Sequence, residues 1–149
     1  MPGLEDLYRE IILDHYKSPR NRGELATPPA VSAQGHNPLC GDEITVYLQI
    51  DSDTVTDIKV GGSGCSISQS SASMMTQAVK GKSVADVKAI VRRFKGMMSI
   101  DTEDEAPLPD VKLGDLEALQ GVVKFPVRIK CATLAWNTLT EALAEAGQK

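Results

Sequence analysis

At 149 residues the chain is long enough to close one hydrophobic core that hides roughly two thirds of its unfolded surface, so a single domain spanning 1–149, with no need of disulfide staples, is expected. A formal charge of -4 with scattered Lys and Arg excludes a general nucleic-acid binder, which carries a basic stripe. No apolar run approaches the roughly 20 residues of a membrane span, and the opening MPGLEDLYRE is acidic where an export signal is basic, so the expected location is cytoplasmic.

The first predicted element is an amphipathic helix. Leu4, Leu7, Tyr8, Ile11, Ile12 and His15 recur at helical spacing while Glu5, Asp6, Arg9 and Glu10 fill the other side. Pro19 ends it and restricts Ser18. A polar loop leads to a short strand around Val31. Ile44, Val46, Leu48 and Ile50 then alternate with Thr45, Tyr47 and Gln49, the period of a half-buried strand. The DSD at 51–53 turns into a second strand from about Val55 to Val60, and the two form an antiparallel hairpin. The GGSGC at 61–65 is expected to break that strand and to lead Cys65 into a second helix, which continues to Gly81.

Lys82 and Ser83 open a third helix, with Val84, Val87, Ile90, Val91 and Phe94 as its apolar stripe and Gly96 marking its frayed end. Arg92, Arg93 and Lys95 on this helix read as a solvated face. Ser99 to Lys112 is an acidic, proline-containing loop, and Gly114 to Leu119 a short helix. The run after Lys124 places Cys131 close to the start of a last helix that carries Leu134, Trp136, Leu139 and Leu143. Met74, Met75, Met97 and Met98 read as core filler. With no internal repeat, the fold class is α+β: a small antiparallel sheet of about three strands covered on one face by helices.

Cys40, Cys65 and Cys131 are an odd number of cysteines in a chain expected to stay in the cytoplasm. That disfavours a disulfide framework and leaves buried small hydrophobes, redox thiols or metal ligands. All three fall at expected element junctions, whereas packing cysteines sit more often inside elements. Helix N-termini favour the thiolate, the form that binds metal or attacks sulfur. Gly41, Gly61, Gly62 and Gly64 let loops converge closely. Asp42 follows Cys40 by two residues, so in extended backbone both side chains face one way. Three thiolates and a carboxylate suit tetrahedral zinc, and similar thiolate sets hold iron-sulfur clusters. Spacing does not choose between them, and a turn aspartate bonding its own backbone is the plain alternative for Asp42.

Four motifs, spread in order over nearly the whole chain, carry a family resemblance: LYREIILDHYKSPRN at 7–21, NPLCGD at 37–42, GGSGCSISQSSASMM at 61–75 and RIKCATLAW at 128–136. Together they resemble the U-type iron-sulfur cluster assembly family, which includes NifU N-terminal and IscU-like proteins, and most of all its SufU branch. Two departures from the scaffold branch point the same way. Lys130 stands before Cys131 where a histidine is typical of scaffolds, and the interval from Cys65 to Cys131 is long, like the insertion of the SufU branch.

The resemblance implies a SufU/IscU-like fold and a zinc site made by Cys40, Asp42, Cys65 and Cys131. It further implies a zinc-dependent sulfurtransferase that takes persulfide sulfur from a cysteine desulfurase, a SufS-like enzyme dependent on PLP, and serves downstream iron-sulfur assembly proteins. No nucleic-acid or membrane partner is expected. Cys40, released from zinc as a histidine of the desulfurase enters, is the expected acceptor. Arg128, three residues before Cys131, is expected to steady the thiolate or the incoming persulfide. His36 is a weaker candidate ligand to which the family pattern gives no role, and His15 and Tyr16 read as a core edge or partner surface. Two alternatives stand beside this reading: a scaffold holding a transient iron-sulfur cluster or iron at the same site, and a structural zinc module.

Overall fold

The computed structural model describes residues 2–27, 30–38, 41–98, 116, 118–119 and 126–147. A helix, α1 (Pro2–Lys17), precedes three strands, β1 (Val31–Asn37), β2 (Asp42–Asp51) and β3 (Thr54–Ser63), and three further helices follow: α2 (Ser66–Val79), α3 (Val84–Met97) and α4 (Pro126–Gly147). The strands form an antiparallel sheet in the order β1-β2-β3. This is the α+β architecture expected from the alternation of residues 44–50.

Register follows from the apolar face. Val46 sits opposite Ala33 on one side and Val60 on the other, and Leu48 opposite Val31 and Ile58. Ile44, Val46, Leu48, Ile58 and Val60 are all buried on that face. Ser52 and Asp53 turn the hairpin with φ of 51° and 60°, the left-handed pair of a two-residue turn that keeps the strand twist. Beside it the register shifts between Gln49 and Ile50, so Ile50 faces Val55 and Val55 also reaches the core.

Two boundaries differ from the sequence expectation. Gly61 and Gly62 do not break β3, which runs on to Ser63 with Gly62 opposite Ile44. The glycines permit the continuation: Gly62 has φ of 115°, and a Cβ there would collide with the Glu43 carbonyl oxygen. Likewise Cys131 is not near a helix start, because α4 begins at Pro126 and the cysteine lies more than a turn inside. Proline is pre-organised for the first helical position, so β-branched Val127 and Ile129 belong to the helix rather than to an extended lead-in.

Helices cover the buried face. Gly35 lies under α4 so closely that a Cβ would overlap Thr138 Oγ1 and stand 3.1 Å from Leu134 Cδ1. The seam between α2 and α4 is made by small polar residues: Ser71 Oγ donates to Ala132 O at 2.5 Å and accepts from Trp136 Nε1 at 3.0 Å. Ser70 Oγ donates to Ile12 O of α1 at 2.8 Å. Phe94 of α3 stacks on Trp136 with ring centroids 4.3 Å apart. Met74, Met75 and Met98 are buried in this core and Met97 packs against it. Arg92, Arg93 and Lys95 are half-buried, not a fully solvated face, beside the buried stripe of Val87, Ile90, Val91 and Phe94 on the same helix. His15 is a core residue, its Nδ1 2.8 Å from Ser73 Oγ, while Tyr16 is exposed. Of the expected short helix, Leu116, Ala118 and Leu119 are described, in a buried 3-10 turn; its other residues and the acidic loop fall outside the described residues, apart from this turn. No helix among the described residues is long and apolar enough to cross a membrane.

Candidate metal centre

Three segments meet at one corner of the sheet. Asp42 is the first residue of β2 and pairs with Asn37, the last of β1. Cys65 is the N-cap of α2, at the end of the glycine-rich run from β3. Cys131 comes from the second turn of α4. Ligand atoms of Asp42, Cys65 and Cys131 all lie within 4.8 Å of one another. Asp42 and Cys131 are buried and Cys65 is partly exposed, so the group opens to solvent on the Cys65 side. Cys40, two residues before Asp42, lies outside the described residues.

Hydrogen bonds aim these side chains. The Cys65 N–H donates to Asp42 Oδ1 at 2.8 Å, leaving Oδ2 4.0 Å from Cys65 Sγ. One carboxylate oxygen thus orients the group and the other faces the sulfur, the arrangement of a monodentate ligand with a fixed back side. Ser68 N–H donates to Cys65 Sγ at 3.4 Å, where a capping oxygen would usually accept. Asn37 Nδ2 stands 3.7 Å from Cys131 Sγ as donor. Gly64 makes room for the set: a Cβ on it would overlap Asp42 Oδ1 and lie 3.0 Å from Asp42 Cγ. Seam bonds from Ser71 to Ala132 O fix the helix next to Cys131.

Two sulfurs and one carboxylate oxygen converging from three elements suit zinc. Sulfurs bound at about 2.3 Å to a tetrahedral ion stand roughly 3.8 Å apart, so the observed spread needs little closing to share one centre. Arg128 lies exposed on the first turn of α4, and His36 is exposed on β1; His36 is not a member of the converging group. Sequence reasoning missed two contributors. Asn37 is the first residue of the NPLCGD motif, and its role depends on pairing with β2 and on the nearness of α4, which no local pattern reveals. Gly64 reads in the sequence as one of several loop-shaping glycines, yet of these it is the one whose Cβ would meet Asp42.

The sequence matches the family described as NifU-like N terminal domain over residues 7–132. It is 49% identical over 142 residues to the zinc-dependent sulfurtransferase SufU of Bacillus subtilis, covering 95% of this chain and 92% of that protein. It is 45% identical over 140 residues to the iron-sulfur cluster assembly scaffold protein IscU of Streptococcus pyogenes, covering 94% and 84%. The crystal structure of the N-terminal part of a nitrogen-fixing NifU-like protein from Brucella abortus superposes with a TM-score of 0.81 at 26% identity, covering 98% of each chain.

Proposed function

The chain belongs to the NifU-like N-terminal domain family, and we propose that within it this protein is a cytoplasmic, single-domain, zinc-dependent sulfur acceptor for iron-sulfur cluster assembly. The donor is a PLP-dependent cysteine desulfurase carrying a persulfide, and downstream assembly proteins receive the sulfur. The observation that carries the reading is the meeting of Asp42, Cys65 and Cys131 donor atoms within 4.8 Å. Similarity to the Bacillus sulfurtransferase supports zinc as the resident ion and sulfur transfer as its use.

Cys40 completes the ligand set in this proposal. Covalent reach supports it: two residues of chain span at most about 7 Å, so Cys40 cannot be far from Asp42. When bound, zinc holds the cysteines as thiolates at neutral pH and ties the segments that carry them to one point. The chain's own residues do the rest. The Cys40 thiolate attacks the outer sulfur of the donor persulfide, the donor's sulfur-sulfur bond breaks, and the donor cysteine leaves as thiolate while a new persulfide forms on Cys40. No oxidant is consumed. Cys65, Cys131 and Asp42 stay in place, held by the bonds from Ser68, Asn37 and the Cys65 N–H. In this proposal Arg128, exposed at the start of α4, steadies the anionic sulfur arriving from solvent.

The test is desulfurase turnover with the zinc-loaded protein against Cys40→Ala, metal content being measured on both. Stimulation by the parent and none by a variant that retains zinc is expected. Equal stimulation would remove Cys40 as acceptor. A brown protein after anaerobic reconstitution, able to pass its cluster to an apo acceptor, would favour the scaffold function named for the streptococcal relative.

A further inference from the structure

Between α1 and β1, the segment Ser18–Gly23 crosses the outer edge of β3. Val60 N–H donates to Asn21 O at 3.0 Å, and Gly23 N–H donates to Val60 O at 3.1 Å. The same segment is keyed to α2, through Arg20 N–H to Ser73 Oγ at 2.8 Å and Asn21 Nδ2 to Thr76 Oγ1 at 3.1 Å. Asn21 has φ of 53°, a left-handed value that asparagine tolerates better than most residues, and it turns the chain between these anchors.

Held this way, Arg22 reaches across the run that carries Cys65. Its guanidinium donates to Gly62 O at 2.5 Å and to Gln69 Oε1 at 2.9 Å. Gly62 stands three residues before Cys65 and Gln69 four after it, so one side chain ties both flanks of the ligand. Gly61, Gly62 and Gly64 offer no side chains to anchor the run, which is otherwise held by backbone pairing with β2 as far as Ser63 and by the Cys65 N–H bond to Asp42. Gln69 is buried, and its Nε2 has no hydrogen-bond partner among the described residues, so the Arg22 contact is what orients its amide.

We propose that Arg22 is a positioning residue for the metal centre: a two-point clamp that sets Cys65 against Asp42 and Cys131. This rests on the metal-binding reading above and adds the N-terminal segment to the site. A planar guanidinium can hold two acceptors on different elements at once, whereas an ammonium on a flexible stem holds a point.

The experiment uses the full chain loaded with Co(II), reading thiolate-to-cobalt absorption and the rate of metal release to a chromophoric chelator. Arg22→Ala is expected to release cobalt about tenfold to a hundredfold faster, the range for lost outer-shell partners, with altered thiolate absorption. Arg22→Lys should stay closer to the alanine variant than to the parent, and Gln69→Leu should speed release less. Should Arg22→Ala not fold, the other two variants decide. Parent-like release and spectrum in the variants, or a lowered melting temperature alone, overturn the clamp. So does full rescue by lysine, which would reduce it to a nearby positive charge. A parent chain without thiolate-to-cobalt absorption overturns the metal reading and the clamp together; a parent with it and unchanged variants overturns only the clamp.

Discussion

Two regions of the molecule are built from small residues for opposite ends. In the α2/α4 seam, Ser71 and its neighbours let two helices close on each other, and the Ser71 hydroxyl is spent on the Ala132 carbonyl and the Trp136 indole N–H. At the metal corner, Gly62 and Gly64 bring chain segments just as close, yet the closeness gathers sulfur and carboxylate donors that leave coordinating capacity in hand. The seam is buried and packed around Trp136; the corner opens toward solvent through Cys65. On the proposed function, stability resides in the first and chemistry in the second, and Cys131 joins them, set in α4 beside Ala132, whose carbonyl takes the Ser71 bond.

The sharpest way to break this division is to empty the seam. Trp136→Ala removes the largest fully buried side chain and the Phe94 stacking partner, and should cost about 3–5 kcal/mol, read as a large fall in melting temperature of the metal-free protein. At the corner, Gly64→Ala should lower zinc affinity about tenfold to a hundredfold, because its Cβ displaces the Asp42 carboxylate; isothermal titration measures it. If metal-free stability fell as far as in Trp136→Ala, the two regions would not be separable. Ser71→Ala should cost roughly 1–3 kcal/mol by leaving the Trp136 N–H without its acceptor, with metal affinity changed less than in Gly64→Ala, as chemical denaturation and titration would show.

The smallest effect lies away from both regions. The hydrogen bond from Arg20 holds the Asp14 carboxyl below its ordinary 3.8. A lowered carboxyl pKa adds stability above the ordinary value that is lost as pH falls through the folded one. Asp14→Asn should therefore melt slightly earlier than the parent near neutral pH, and the difference should fade below the ordinary value and vanish in acid below the lowered, folded one. On an exposed ion pair it should be small at any pH and smaller still in high salt.

Much of the fold can be read along the chain because the sheet has one wet face. The alternation from Ile44 to Ile50 sets register as well as strand, since a one-residue slip would turn every apolar side chain outward. The helix caps at Cys65 and Ser83 are local chemistry and equally readable. What escaped was tertiary. Gly61 and Gly62 look like a strand's end until the Glu43 carbonyl is seen against them, and Arg92 and Arg93 look solvated until α3 is packed. Asp42, Cys65 and Cys131 were identifiable as donors by residue type and glycine context, but the bond from the Cys65 N–H that orients Asp42, and the Asn37 and Arg22 contacts, exist only once distant segments meet.

The central claim is that Cys40 takes the sulfur while the other donors hold the site. Its most direct test is one round of transfer from a persulfidated cysteine desulfurase to the zinc-loaded chain, followed by peptide mapping by mass spectrometry under non-reducing conditions. The account predicts one added sulfur atom on the peptide containing Cys40 and none on those containing Cys65 or Cys131. Sulfur on either of the latter, or on no cysteine of this chain while the donor keeps its persulfide, would contradict it.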